Sequence, residues 1–187
     1  LFDQARNRIM ETTSYAEFKA ALTQYDCQLC PLSRNRSRIV VDRGNPASQI
    51  MVISEHPGVN EDREGKAFVG RAGELLDRMM AVVNLDPNRD MLITNVVKCL
   101  TPDDRSPAEA EIKACFPYLQ KQIKLMQLRF IILLGAVALK HMLPQKKEFK
   151  MEEEAGKLFT LRAYPGIQFM VLYHPAYLLR DSRQKKP

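Results

Sequence analysis

Long apolar runs are missing from this sequence. The longest, Phe130 to Leu139, is too short to cross a bilayer, so no membrane partner is expected. The first residues lack the basic, apolar, small-residue order of a secretory signal, and a soluble protein of the cytoplasm is the expectation. Internal repeats and low-complexity tracts are also absent. Cysteine is scarce, four in 187 residues, and without a secretory signal those four are not expected to form disulfides. An apolar fraction of 45% is ordinary for a folded chain, which argues against disorder. Residues 1–187 are read as a single domain, large enough to bury a real core.

What is present points toward a polyanion and a metal. Net charge is +6, and basic residues gather at Arg34, Arg36, Arg38 and Arg43 and again at Arg180, Arg183, Lys185 and Lys186. Either cluster alone reads as a solvated face; two of them beside a polar site favour nucleic acid. The cysteines fall as Cys27-x-x-Cys30, Cys99 and Cys115. Four with none spare read better as a four-thiolate metal site than as plain buried hydrophobes. Zinc sites usually repeat a close pair; here the second pair is sixteen positions apart (115 − 99), which leans toward iron–sulfur without deciding it.

Leu1 to Asp26 reads as a helical lead-in with a capping box from Ser14 to Glu17, and Ser33 to Arg43 as irregular surface chain. Apolar runs predict strands at Ile50–Ile53, Met91–Asn95 and a fully buried Phe130–Leu134. Leu158–Ala163 and Gln168–Tyr173 read as a hairpin. Helices are predicted from Glu74 to about Asn84, from Ser106 (cap) and Pro107 through Cys115 toward Met126, and from Gly135 to about Leu143. Strands alternating with helices imply an α/β protein: an open, mainly parallel sheet covered on both faces.

In such sheets ligands bind beyond the carboxyl ends of the strands. The residues following the strands are Glu55-His56-Pro57-Gly58, Asn95, Gly135 and His174-Pro175. The first of these opens a long loop to the next helix, carrying Glu61, Asp62 and Glu64 and punctuated by Gly65, Gly70 and Gly73. A loop of that length in a compact domain usually carries function. The polar residues therefore converge on one rim.

Five motifs in order, Glu55-x-Pro57-Gly58-x-x-Glu61-Asp62, Phe68-Val69-Gly70-x-Ala72-Gly73, Thr94-Asn95-x-x-Lys98-Cys99, His174-Pro175-Ala176-Tyr177-Leu178-Leu179-Arg180 and the cysteine pattern, closely resemble the iron–sulfur class (family four) of uracil-DNA glycosylases. The resemblance covers residues 14–180. It implies a three-layer α/β/α glycosylase fold with a mainly parallel four-stranded sheet, and a [4Fe-4S] cluster held by Cys27, Cys30, Cys99 and Cys115. It implies a repair enzyme acting on uracil in single- or double-stranded DNA, monomeric and associated with a prokaryotic nucleoid. Flipping a base into a pocket requires an aromatic face, for which Phe68 is the candidate. Asn95 offers an acceptor to uracil N3–H and a donor to O4, a pattern cytosine opposes. His174 can donate to O2, where charge gathers as the glycosidic bond breaks. Glu61 is the candidate for holding the water and Glu55 for shaping the pocket. Lys98 and Arg105 are expected against phosphate, Arg180 near the emptied stack, and Tyr177 or Leu178 as the wedge that enters it.

Three departures stand out. Ser54 replaces a usual glycine, Ala67 stands where proline is common, and His56 replaces a small residue. His56 is expected beside the attacking water, the alternative being that its bulk narrows the pocket. A covalently trapping branch of the family carries a basic, histidine-bearing insertion after the second strand; Val96 to Pro107 has neither, so turnover is expected. Competing classes are a damage-binding protein with a weakened site, an enzyme with a shifted deaminated-base preference, and an electron carrier built on the cluster. The chain opens at Leu1 and ends at Lys-Lys-Pro where the family continues into another helix, so further residues are expected at its ends.

Overall fold

The computed structural model describes residues 2–181. Its elements in order are α1 (Phe2–Glu11), α2 (Tyr15–Gln24), β1 (Arg43–Gly44), β2 (Ile50–Ser54), α3 (Val59–Glu64), α4 (Arg71–Val82), β3 (Leu92–Asn95), α5 (Glu109–Leu125), β4 (Phe130–Leu134), α6 (Gly135–Met142), α7 (Met151–Glu154), β5 (Leu158–Thr160), β6 (Gln168–Leu172) and α8 (Pro175–Arg180). Single 3-10 turns lie at Pro31–Arg34 and Pro102–Asp104.

Four strands run parallel in the order β3-β2-β4-β6, and antiparallel edges, β1 on β3 and β5 on β6, widen the sheet to six. The expected four-stranded parallel sheet is thus the centre of a larger mixed one. β2 is apolar from Ile50 to Ile53 and every residue of β3 is buried, because both faces are covered. Alternate residues enter separate cores. Met51, Ile53, Leu92, Ile131 and Leu133 pack with Phe18, Leu22, Leu119 and Leu139 of α2, α5 and α6. Val52 and Ile93 pack with Leu76 and Met80 of α4. Helix α8 lies against α4, giving three layers with helices on both faces. No described helix is long and apolar enough to cross a membrane.

The structure differs from the sequence reading at five places. Phe130 is 42% exposed, so β4 is buried only beyond its first residue. Ile39, Val40, Val41 and Asp42 are buried rather than superficial. The long loop contains a helix, α3, and the charged connection before Gly156 contains another, α7. Helix α5 starts at Glu109 instead of Pro107, because Glu111 Oε2 reaches back to accept the Ala108 N–H (2.8 Å) and Ser106 caps nothing. The Ser14 cap is as expected: its hydroxyl accepts the Glu17 N–H at 3.2 Å.

Candidate active site

The carboxyl ends of β2, β3, β4 and β6 open into one cavity of about 940 Å³. Glu55, His56, Glu61, Phe68, Asn95, His174 and Arg180 all line it. Turns separated by more than a hundred residues meet there because the four strands are parallel and end at one edge.

Phe68 reaches the cavity through strain. It holds φ = 55°, in the left-handed region that few non-glycine residues adopt. Gly73 makes that turn possible: a Cβ there would lie 1.9 Å from the Phe68 carbonyl oxygen. The Phe68 ring centroid is 5.8 Å from that of His174. Glu61 pins the same loop, its Oε1 accepting from the Val69 and Gly70 N–H groups, both at 3.1 Å. Its other oxygen lies against Gly58, where a Cβ would approach to 2.8 Å.

Asn95 is 1% exposed, yet its Oδ1 accepts no hydrogen bond. Glu55 Oε1 and the Ser54 hydroxyl are likewise buried without partners. Buried polar atoms are nearly always paired, so unpaired ones on residues lining a cavity, Asn95 and Glu55, single those residues out.

His174 has a defined tautomer. Its Nδ1 accepts the Ala176 N–H at 3.0 Å, capping α8, so the proton sits on Nε2. Burial, reinforced by His56 and Arg180, pulls its pKa down from 6.5 to about 4. At neutral pH the ring is an uncharged Nε2–H donor. His56 has the opposite arrangement. Its Nδ1 lies 2.9 Å from the Pro57 carbonyl and 3.4 Å from the Thr101 hydroxyl, and its Nε2 is 3.7 Å from Asp104 Oδ1. With Nδ1 directed at the Pro57 carbonyl, Nε2 is the ring nitrogen on the Asp104 side of the cavity.

Other expected site residues are placed elsewhere. Asp62 turns away from the cavity and accepts from the Ser37 and Arg38 N–H groups. Lys98, expected against phosphate, is 1% exposed; its ammonium donates to Thr94 Oγ1, Asn95 O and Gln122 Oε1, each at 2.6 Å. Burial pulls its pKa down to about 8. The same interior network joins Gln122 to Tyr15, Tyr15 to Asp42 and Asp42 to Lys19, and no sequence pattern announced it. Leu178, a wedge candidate, is buried at 4% exposure. Tyr177 is half-buried and stacks on Tyr173. Arg105 forks onto both Glu111 oxygens and so braces the start of α5. Arg36 is tied to Asp26 and Arg43 to Asp77, leaving Arg34, Arg38 and Arg180 as exposed members of the basic clusters. Arg183, Lys185 and Lys186 lie outside the described residues.

All four cysteines are free thiols. Burial, reinforced by neighbouring thiols, raises Cys30, pushes Cys99 up to about 12 and Cys115 up to about 11. Two donors face the sulfurs: the Lys98 N–H to Cys115 Sγ at 3.3 Å and Arg36 Nη1 to Cys99 Sγ at 3.9 Å. Among the described residues no three His, Cys, Asp or Glu side chains are gathered tightly enough for a single metal ion.

A parallel sheet ending in a cavity lined by Asn95, Phe68 and His174 defines a class, and comparison agrees: the uracil DNA glycosylase superfamily model matches residues 41–187, and the chain belongs to that family. Within it, the chain is similar to proteins named Type-4 uracil-DNA glycosylase. That of Saccharolobus solfataricus is 42% identical over 165 residues, covering 86% of this chain and 76% of the relative. Those of Pyrobaculum aerophilum and Thermotoga maritima are each 37% identical, over 83% of this chain and 80% and 79% of their own lengths.

Proposed function

We infer that the chain is a uracil-DNA glycosylase of DNA repair: it takes a deoxyuridine out of the stack and hydrolyses the bond between C1′ and N1, leaving an abasic site. The observation that carries this is the single cavity lined by Asn95, whose buried Oδ1 is unpartnered, by Phe68 and by His174, whose Nε2–H is a donor. Uracil N3–H supplies the missing donor, the Asn95 amide donates to O4, and Phe68 offers a face to the ring. As the bond breaks, N1 keeps the electron pair and charge spreads to O2, where neutral His174 donates. A donor fixed in advance within a dry pocket stabilises that anion without rearranging.

The sugar's developing cation is taken by water. Glu61 Oε2, beside Gly58, and His56 Nε2 are the acceptors proposed to hold it and receive its proton, and the unpaired Glu55 carboxylate shapes the pocket floor. Replacing His56 with alanine tests its part: a slower single-turnover rate supports assistance to the water, an unchanged rate ends that role, and a faster one means its bulk narrows the pocket.

The four thiols, converging with backbone and guanidinium donors aimed at sulfur, fit a cluster larger than one ion. We assign Cys27, Cys30, Cys99 and Cys115 as its ligands. A bound [4Fe-4S] cluster would tie the segment after α2 to the start of α5, a structural rather than redox duty. On the rim, Arg180 and Tyr177 are the proposed DNA contacts, with the enzyme acting as a monomer on DNA in a prokaryotic cytoplasm.

The test is release of free base from oligonucleotides carrying one uracil, single- and double-stranded, by cluster-loaded protein. Release of uracil and retention of cytosine supports the reading. DNA binding without release supports a damage-binding protein instead.

A further inference from the structure

Resting on the glycosylase reading above, we propose that Lys98 is a positioning residue: its buried ammonium locks the bend after β3 and so holds the Asn95 amide in the orientation that reads the base.

The Asn95 side chain does not hold itself, because its Oδ1 has no partner in the protein. Packing of the buried side chain and the backbone that carries it are what orient it. The chain leaves β3 at Asn95 and bends through residues 96–99. Inside that bend Lys98 folds back and donates to the Asn95 carbonyl at 2.6 Å. Its two remaining protons go to Thr94 Oγ1 and Gln122 Oε1, so all three are matched. Those acceptors are themselves anchored: Thr94 Oγ1 donates to the Val41 carbonyl at 2.7 Å, and Gln122 Nε2 donates to Tyr15 Oη and the Val41 carbonyl.

Packing alone does not account for a lysine here. A methionine would fill similar space without desolvating a charge, but it would leave the Asn95 carbonyl, Thr94 Oγ1 and Gln122 Oε1 without this donor. The backbone N–H of Lys98 also donates to Cys115 Sγ. One residue thus joins the base-reading strand end to α5 and to the thiol segment.

The test is a double-mutant cycle on the cluster-loaded protein, using Lys98→Met, Asn95→Ala and the pair, with single-turnover uracil release as readout and melting temperature and cluster absorbance alongside. Lys98→Met should slow the chemical step by about 10²-fold, the scale of a misplaced binding group, with little change in KM. In the Asn95→Ala background it should slow release no further. Full additivity of the two losses, or a wild-type rate in Lys98→Met, overturns the proposal. Should Lys98→Met not fold, Thr94→Val removes one of the ammonium's acceptors; a smaller loss that again vanishes without Asn95 supports the proposal, and an additive one overturns it. A wild-type chain that releases no uracil overturns the glycosylase reading first, and this inference with it.

Discussion

Two buried polar regions lie within one residue of each other and are built on opposite plans. Around Lys98 every ammonium proton, the Gln122 amide, the Tyr15 hydroxyl and the Asp42 carboxylate are matched within the protein. At Asn95, Glu55 and Ser54 buried oxygens are left without partners. Leaving a buried acceptor unmatched costs about 1–3 kcal/mol, so the second region is stabilised by the first and completed by a ligand. The Arg6 and Arg43 Nε atoms are unmatched as well and Glu61 in the site is matched, so an unmatched atom points to the site only where its residue lines the cavity, as Asn95 and Glu55 do.

That contrast can be broken by substitution. The largest effect is expected at His174→Ala: loss of the donor to the leaving base should slow uracil release by about 10² to 10³-fold, and loss of the α8 cap should lower stability by about 0.5–2 kcal/mol. Tyr15→Phe should act mainly on the fold. It strips one partner each from buried Asp42 and Gln122 and should lower stability by about 1–3 kcal/mol, read by denaturant unfolding, with a much smaller loss of uracil release than Lys98→Met because only a remote anchor of the network is removed. If Tyr15→Phe silenced catalysis without destabilising the fold, the division between scaffold and site would be wrong.

Titration of His174 sharpens it further. Its folded pKa of about 4 lies below the ordinary 6.5, so between those values the unfolded chain binds the extra proton. Stability contributed by neutral His174 is therefore fully present above about 6.5 and is lost as pH falls toward 4. NMR titration of the ring should show a midpoint near the lower value, and a midpoint near 6.5 would return the ring to an ordinary, hydrated state. The smallest effect belongs to Arg180, exposed at the cavity's edge. Arg180→Ala should weaken DNA binding and reduce the slope of log affinity against log salt by about one.

The strand ends were legible because apolar runs on both-face-buried strands stop abruptly at polar residues: Ser54 at the end of β2 with Glu55 after it, and Asn95 at the end of β3. Motif order carried the family, which the comparisons show. The missed features are those whose signal is nonlocal or short. Helix α3 spans six residues, too few for a periodic stripe, and β1 only two. At α5 two capping patterns overlapped, and the backward reach of Glu111 prevailed over Ser106. Lys98 reads as a surface cation until its acceptor Gln122, 24 residues on, is brought beneath it. Leu178 was misplaced for a similar reason: α8 presses against α4, and neither segment predicts the other.

The central claim is that Asn95, Phe68 and His174 together receive an extruded uracil and read its edge. The most direct measurement is the single-turnover release of base from matched uracil- and cytosine-bearing oligonucleotides by the wild-type chain and by Asn95→Ala. The account predicts rapid uracil release by the wild type, no cytosine release, and a loss of at least about 10²-fold on removing the Asn95 amide. Uracil release by Asn95→Ala at the wild-type rate would contradict it.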